Sequence, residues 1–253
     1  MSAGQPHAGL AALRAEFPYG IAVSRVGLNT VGAGVATCLV QRSTEPGQPY
    51  LVSCRHVLSL SLVEAASPLD ALRVSAVGDE TRALGQPTHI RGPLVGGMAP
   101  DFDAQLARLH QAADGPKVMR GLSFDRTPSH VRGVADLQAQ PGFWVATGRP
   151  GTDGGRHMVW VDYRHFTTDF TMAYTLAPGV TRLITHTLVL VGSSHDTLGP
   201  GDSGSPAVLT QRGGRLIGMY IGGDGTTAYV IPAWQLLNPR NYGVASGETW
   251  TLG

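Results

Sequence analysis

Charge, cysteine and long apolar runs are all scarce in this 253-residue chain, and each shortage removes a class of protein. Charged residues make up 15%, the formal net charge is +1, and Lys and Arg form no cluster. There is therefore no electrostatic footprint for nucleic acid. No run of 18 apolar residues occurs, so no membrane-spanning helix is expected. Two cysteines, Cys38 and Cys54, are too few for a secreted disulfide framework or for a zinc site on their own. The first seven residues have neither the basic start nor the apolar core of a secretory signal, which makes a cytoplasmic location the expectation. Glycine (34) and proline (17) are abundant, and 42% of residues are apolar. That balance favours a turn-rich all-β globule over a helix bundle or a disordered chain.

Short strand-like segments are spaced by Gly, Pro, Asn and Asp turns throughout. In the first half they lie at 21–26, 34–41, 50–54, 72–77, 83–90 and 104–109, a barrel-sized set. Residues 111–140 have weak periodicity and read as a crossing between two halves. The strand rhythm then returns at 143–147, 157–163, 169–174, 181–191, 205–210, 215–221 and 227–231. A short amphipathic helix is expected at 8–17, ended by Pro18, and another at 232–237. The expected division is an extension at 1–19, a barrel at 20–110, the connection at 111–140 and a second barrel at 141–253.

The most informative stretch is Leu198-Gly-Pro-Gly-Asp-Ser-Gly-Ser-Pro206, a small-residue turn leading into an apolar strand. Glycines at 199, 201 and 204 allow positive φ and close approach of a ligand, so a single hydroxyl, Ser203, can be presented beside backbone N–H groups. A hydroxyl is a weak nucleophile alone. It needs a base within hydrogen-bond reach and a group that orients the base. Upstream, Tyr50-Leu-Val-Ser-Cys-Arg-His56 is an apolar strand that delivers an imidazole to its end. Between them, Asp103-Ala-Gln-Leu-Ala-Arg-Leu109 begins a further strand with a carboxylate, and Asp101 lies two residues earlier on the same face.

These three motifs resemble those of the trypsin/chymotrypsin-like serine peptidases. Gly201 to Pro206 matches Gly-Asp-Ser-Gly-Gly-Pro with Ser205 in place of the second glycine. His56 ends a match to Leu-Thr-Ala-Ala-His and to the bacterial Thr-x-Arg-His-Val form. Asp103, Leu106 and Leu109 keep the register of Asp-Ile-Ala-Leu-x-x-Leu, which favours Asp103 over Asp101. The chain order His56, Asp103, Ser203 is that of chymotrypsin. The resemblance spans most of residues 20–236 and implies an all-β fold of two orthogonal six-stranded β-barrels, with the site between them. It implies a serine endopeptidase in which Ser203, His56 and Asp103 form the triad. The N–H groups of Gly201 and Ser203 form the oxyanion hole, and Thr197, Ile221, Gly222 and Gly223 line the substrate pocket. His195, His186, Asp196 and Asp224 are further pocket candidates. No metal or organic cofactor is implied, and the partner is a protein or peptide substrate, with room for a regulatory protein. Two other readings are a catalytically silent peptide-binding or scaffold module and an esterase or transferase that uses the same acyl-enzyme.

Three further expectations concern stability and control. Cys38 and Cys54 are symmetric about Glu45-Pro46-Gly47, so a regular hairpin sets them face to face and a disulfide is geometrically allowed, although a cytosolic location favours thiols. Asp202 matches the aspartate that, in many animal members, pairs with a newly cleaved N-terminus. Ile21 follows Gly20 rather than a basic residue, so Asp202 is expected to be satisfied by backbone or an internal cation. The helix at 8–17 either docks a partner or packs on a barrel.

Overall fold

The computed structural model of the protein describes residues 14–25, 31–59, 69–93, 101–122, 129–177, 180–211, 213–244 and 246–253. Among the described residues fourteen strands form two sheets. The first contains β1 (Ile21–Arg25), β2 (Val31–Gly34), β3 (Cys38–Arg42), β4 (Pro49–Ser53), β5 (Leu72–Ala76), β6 (Gly85–Arg91) and β7 (Gln105–Leu109). The second contains β8 (Gly142–Pro150), β9 (Arg156–Ala177), β10 (Val180–Ser194), β11 (Pro206–Thr210), β12 (Gly213–Asp224) and β13 (Thr227–Pro232), closed into a six-stranded barrel in the order β10-β13-β12-β11-β8-β9. A final strand, β14 (Trp250–Leu252), returns to the first sheet and pairs with β3. That sheet therefore has eight strands, ordered β14-β3-β4-β7-β6-β5-β1-β2, where six were expected.

Aliphatic and β-branched side chains along these strands face inward on both sheets and merge into one continuous core that runs from Val23, Val52 and Leu106 to Val145, Val189 and Val230. Helices are short: α1 (Arg55–Leu58), α2 (Gly115–Val118), α3 (Val134–Gln138) and α4 (Ala233–Leu236), the last within the expected 232–237. Among the described residues no helix is long and apolar enough to cross a membrane. Of the helix expected at 8–17, residues 8–13 lie outside the described residues, as does position 26 of the first expected strand; residues 14–16 are helical.

Two strand expectations are corrected. The segment at 34–41 is broken between β2 and β3, where Val35 N–H donates to Ser203 O in a loop of the other half and the Thr37 hydroxyl to Gly204 O, while Thr37 N–H still donates to Val52 O of β4. The segments at 157–163 and 169–174 are parts of one 22-residue strand, β9, which pairs with β10 in a hairpin extending past the barrel. The intervening residues 164–168 are polar or partly exposed, since this section of the hairpin lacks a second sheet to bury one face.

The cysteine expectation is also corrected. In the β3–β4 pair Cys38 faces Val52, and the register places the centre of the hairpin at Glu45. Consecutive turns, Glu45 N–H to Arg42 O and Gln48 N–H to Glu45 O, set that centre. Moving a hairpin centre by one residue moves every cross-strand partner by two, so Cys54 lies beyond Cys38. Both are free and buried, and burial pushes the Cys38 thiol up to about 12. A thiol reagent should titrate no cysteine in the native protein and two after unfolding without reductant; fewer than two after unfolding overturns this assignment.

Candidate active site

Two successive turns present Ser203. In the first, the Asp202 N–H donates to Gly199 O at 3.1 Å, with Pro200 second and Gly201 third at φ +90°. Proline pre-sets the second position, and positive φ at the third demands glycine, the chemistry of a type II turn. In the next, Ser205 N–H donates to Asp202 O at 3.0 Å, with Ser203 second and Gly204 third at φ +89°. The Asp202 N–H is thus consumed inside the loop. Among the described residues the N–H groups on either side of it, those of Gly201 and Ser203, form no hydrogen bond. Two uncommitted donors flanking a presented hydroxyl form an arrangement able to bind an oxyanion.

The loop is held from both sheets. Val35 N–H donates to Ser203 O at 2.9 Å, and the Thr37 hydroxyl donates to Gly204 O at 2.7 Å. From the barrel, Gly204 N–H donates to Tyr220 O and Tyr220 N–H to Ser205 O, both at 2.9 Å. A Cβ on Gly204 would run into the Val35 carbonyl and the Ser53 hydroxyl.

Asp202, fully buried, accepts Gly199 N–H at 2.9 Å and pairs with Arg149 at 3.0 Å. Both kinds of partner expected for it are present. Burial raises its carboxyl to about 6 even though Arg149 and the Gly199 N–H pull the other way. Phe17, itself buried, lies where a Cβ on Gly201 would be, and the Arg149 guanidinium sits over its ring at 5.6 Å. Arg14 pairs with Glu80 at 2.8 Å. The described end of the N-terminal segment is therefore packed on the fold beneath the Ser203 loop.

β4 runs into α1, which places His56, and the turn before β7 places Asp103 beside it. With the carboxylate ionised, His56 Nδ1–H donates to Asp103 Oδ2 at 2.6 Å, and the His56 backbone N–H donates to Oδ1 at 3.1 Å. Asp103 is wholly buried. Burial alone would raise its carboxyl, but the His56 charge and hydrogen bonds outweigh it and leave it below the usual carboxylate range. Asp101, also buried, instead accepts Thr185 N–H at 3.1 Å, and its backbone forms an isolated parallel β-bridge with that of His186 on β10. His56 and Ser203 line the same cleft of about 620 Å³. Among the described residues no hydrogen bond yet joins them, a looseness common before substrate tightens such sites.

Thr197, Ile221, Gly222 and Gly223 all line this cleft, as does Asp224. His195 and Asp196 do not; they pair with Asp162 at 2.7 Å and with His157 at 3.0 Å on the barrel exterior. His186 is buried behind Asp103, and burial lowers it to about 4, so it is neutral. Three groups escaped the sequence reading: Arg149, Phe17 and the β9 segment Phe170 to Tyr174, which forms one wall of the cleft. Cys54, His56 and Asp103 offer ligand atoms within 4.8 Å of one another. Burial and Asp103 push the Cys54 thiol well above its usual value.

An all-β chain of two sheets, with this cleft at their junction, has the trypsin/chymotrypsin-like serine-peptidase fold. Among solved structures it is similar to a glutamic acid specific serine protease described as using a histidine triad in substrate binding. The TM-score is 0.52 at 16% identity, over 88% of this chain and 95% of that one. It is also similar to Thermobifida fusca Protease A (TM-score 0.46, 15% identity, 92% and 96% covered) and to Nocardiopsis protease (TM-score 0.46, 14% identity, 92% and 96% covered). No family model and no curated protein matches the sequence.

Gly204→Ala should cost about 3 kcal/mol or more, since it combines a positive φ with a backbone clash; a thermal unfolding midpoint equal to wild type refutes the seam described here. Asp202, with a carboxyl raised in the fold, contributes stability that is present below its ordinary range and lost as pH rises from about 4 to about 6. Asp202→Asn should remove that decline, read as the difference between the two unfolding curves across this window.

Proposed function

We propose that the protein is a serine endopeptidase. The observation that carries this reading is the two-point grip of one buried carboxylate on His56, through ring and backbone, on the wall of the cleft that also holds Ser203. Ser203 Oγ attacks a peptide carbonyl carbon while His56 Nε2 takes the hydroxyl proton. His56 returns it to the leaving amine as the C–N bond breaks, and water then hydrolyses the acyl-enzyme by the same route in reverse. Asp103 stays ionised, fixes the tautomer with the proton on Nδ1, and stabilises the imidazolium that forms. The N–H groups of Gly201 and Ser203 receive the oxyanion, where losing one donor typically costs about 3–4 kcal/mol of transition-state stabilisation.

The substrate is an extended peptide laid along Ile221 to Gly223, where Gly222 and Gly223 leave room for backbone to approach backbone. The side chain before the scissile bond enters the cleft by Thr197, Leu198 and Gly199. Arg149 with Asp202, and Phe17 beneath Gly201, support the oxyanion loop without a freed N-terminus, so activity does not wait for a clip before Ile21. A cytoplasmic site of action and control by a protein partner belong to this proposal.

Ser203→Ala should abolish cleavage of a peptide library and labelling by a fluorophosphonate probe while keeping the unfolding midpoint. His56→Ala should lose nearly as much, because triad members act as a unit. Unchanged cleavage in Ser203→Ala ends the peptidase reading; probe labelling of the wild type with no peptide cleaved moves it to an esterase or transferase.

A further inference from the structure

Asp103 has a third donor. The hydroxyl of Tyr174, on the extended part of β9, donates to Asp103 Oδ2 at 3.3 Å, the same oxygen that accepts His56 Nδ1–H. The tyrosine is buried, and its ring packs on the imidazole with centroids 5.4 Å apart at 57°. A buried hydroxyl needs an acceptor, and its only other neighbour of that kind among the described residues is the weak Met172 sulfur at 3.9 Å. Burial and the adjacent carboxylate push the phenol well above its usual value, so it remains a donor across the working pH range. The ionisable groups facing Asp103 are His56 from α1, Cys54 before it, Tyr174 from β9 and His186 from β10.

We infer that Tyr174 is a positioning residue for the reaction: its hydroxyl holds the Asp103 carboxylate in the plane of the His56 ring, and its ring shields the imidazole from water. The inference rests on the peptidase reading for its kinetic arm only. This donor comes from the projecting hairpin, outside the segments that carry His56, Asp103 and Ser203.

Removing the hydroxyl leaves Asp103 with more charge density toward His56, so the imidazolium is favoured and the acidic limb of the rate profile moves to higher pH. Tyr174→Phe should lower kcat by about 5- to 20-fold, as expected for a long hydrogen bond to a charged group, and raise the acidic limb by about half to one pH unit. A fluorinated tyrosine at 174 keeps the packing and strengthens the donor, and should move the limb the opposite way. The titration of the His56 ring, followed by NMR in the Ser203→Ala background, should show both shifts without requiring turnover. A change in KM alone, or a His56 titration unmoved by both replacements, overturns the inference. Absence of cleavage in the wild type would instead count against the peptidase reading, while the NMR titration still decides the role of Tyr174.

Discussion

The structure turns on two carbonyl groups. Those of Ser203 and Gly204 point out of the second barrel and accept hydrogen bonds from Val35 and Thr37 of the first sheet. His56 and Asp103 lie on the side of the first sheet and Ser203 on that of the second, so this seam, together with the Asp101–Thr185 and Tyr174–Asp103 bonds, sets the relative placement of the three. The seam coincides with the break between β2 and β3: Val35 N–H bonds across to Ser203 O, while Thr37 keeps its N–H on Val52 O of β4 and reaches across with its hydroxyl. Gly204 is the point of closest approach, where a side chain of any size would separate the halves.

Two buried carboxylates lie close to the seam, and the fold treats them differently. Asp103 has three donors aimed at it and stays below its usual carboxylate range despite complete burial. Asp202 has one backbone donor and a partly exposed Arg149, which do not offset burial, and its carboxyl is raised. The difference follows from what each needs to do. A group that stabilises an imidazolium in the proposed reaction must be charged, whereas a group that braces a loop can serve through hydrogen bonding in either protonation state.

Local chemistry was readable from residues, and distant chemistry was not. The Pro200-Gly201 and Ser203-Gly204 turns are encoded within a few residues, as is β4, which ends at Ser53 just before the short helix that carries His56, so their geometry follows from turn preferences and periodicity. The resemblance to the family's Asp-Ile-Ala-Leu-x-x-Leu register favours Asp103 over Asp101, and Asp103 is the carboxylate that accepts from His56 Nδ1–H. Phe17, Arg149 and Tyr174 reach the site across about 186, 54 and 71 residues of chain respectively, to Ser203, Ser203 and Asp103, and nothing near them in sequence marks the contact. β14 was missed for a related reason: three residues, Trp250 to Leu252, carry too short a pattern to register as a strand until β3 supplies an edge.

The β9–β10 hairpin joins two properties that are often built from separate parts. Phe170 to Tyr174 form one wall of the cleft, and Phe170 stacks on Tyr229 of the barrel with ring centroids 4.4 Å apart, which anchors that wall. The same five-residue stretch ends in the hydroxyl that reaches Asp103. In the proposed reaction a peptide against this wall would touch the strand that also holds the carboxylate. One strand thus supplies both a wall of the cleft and a donor to the carboxylate that holds His56.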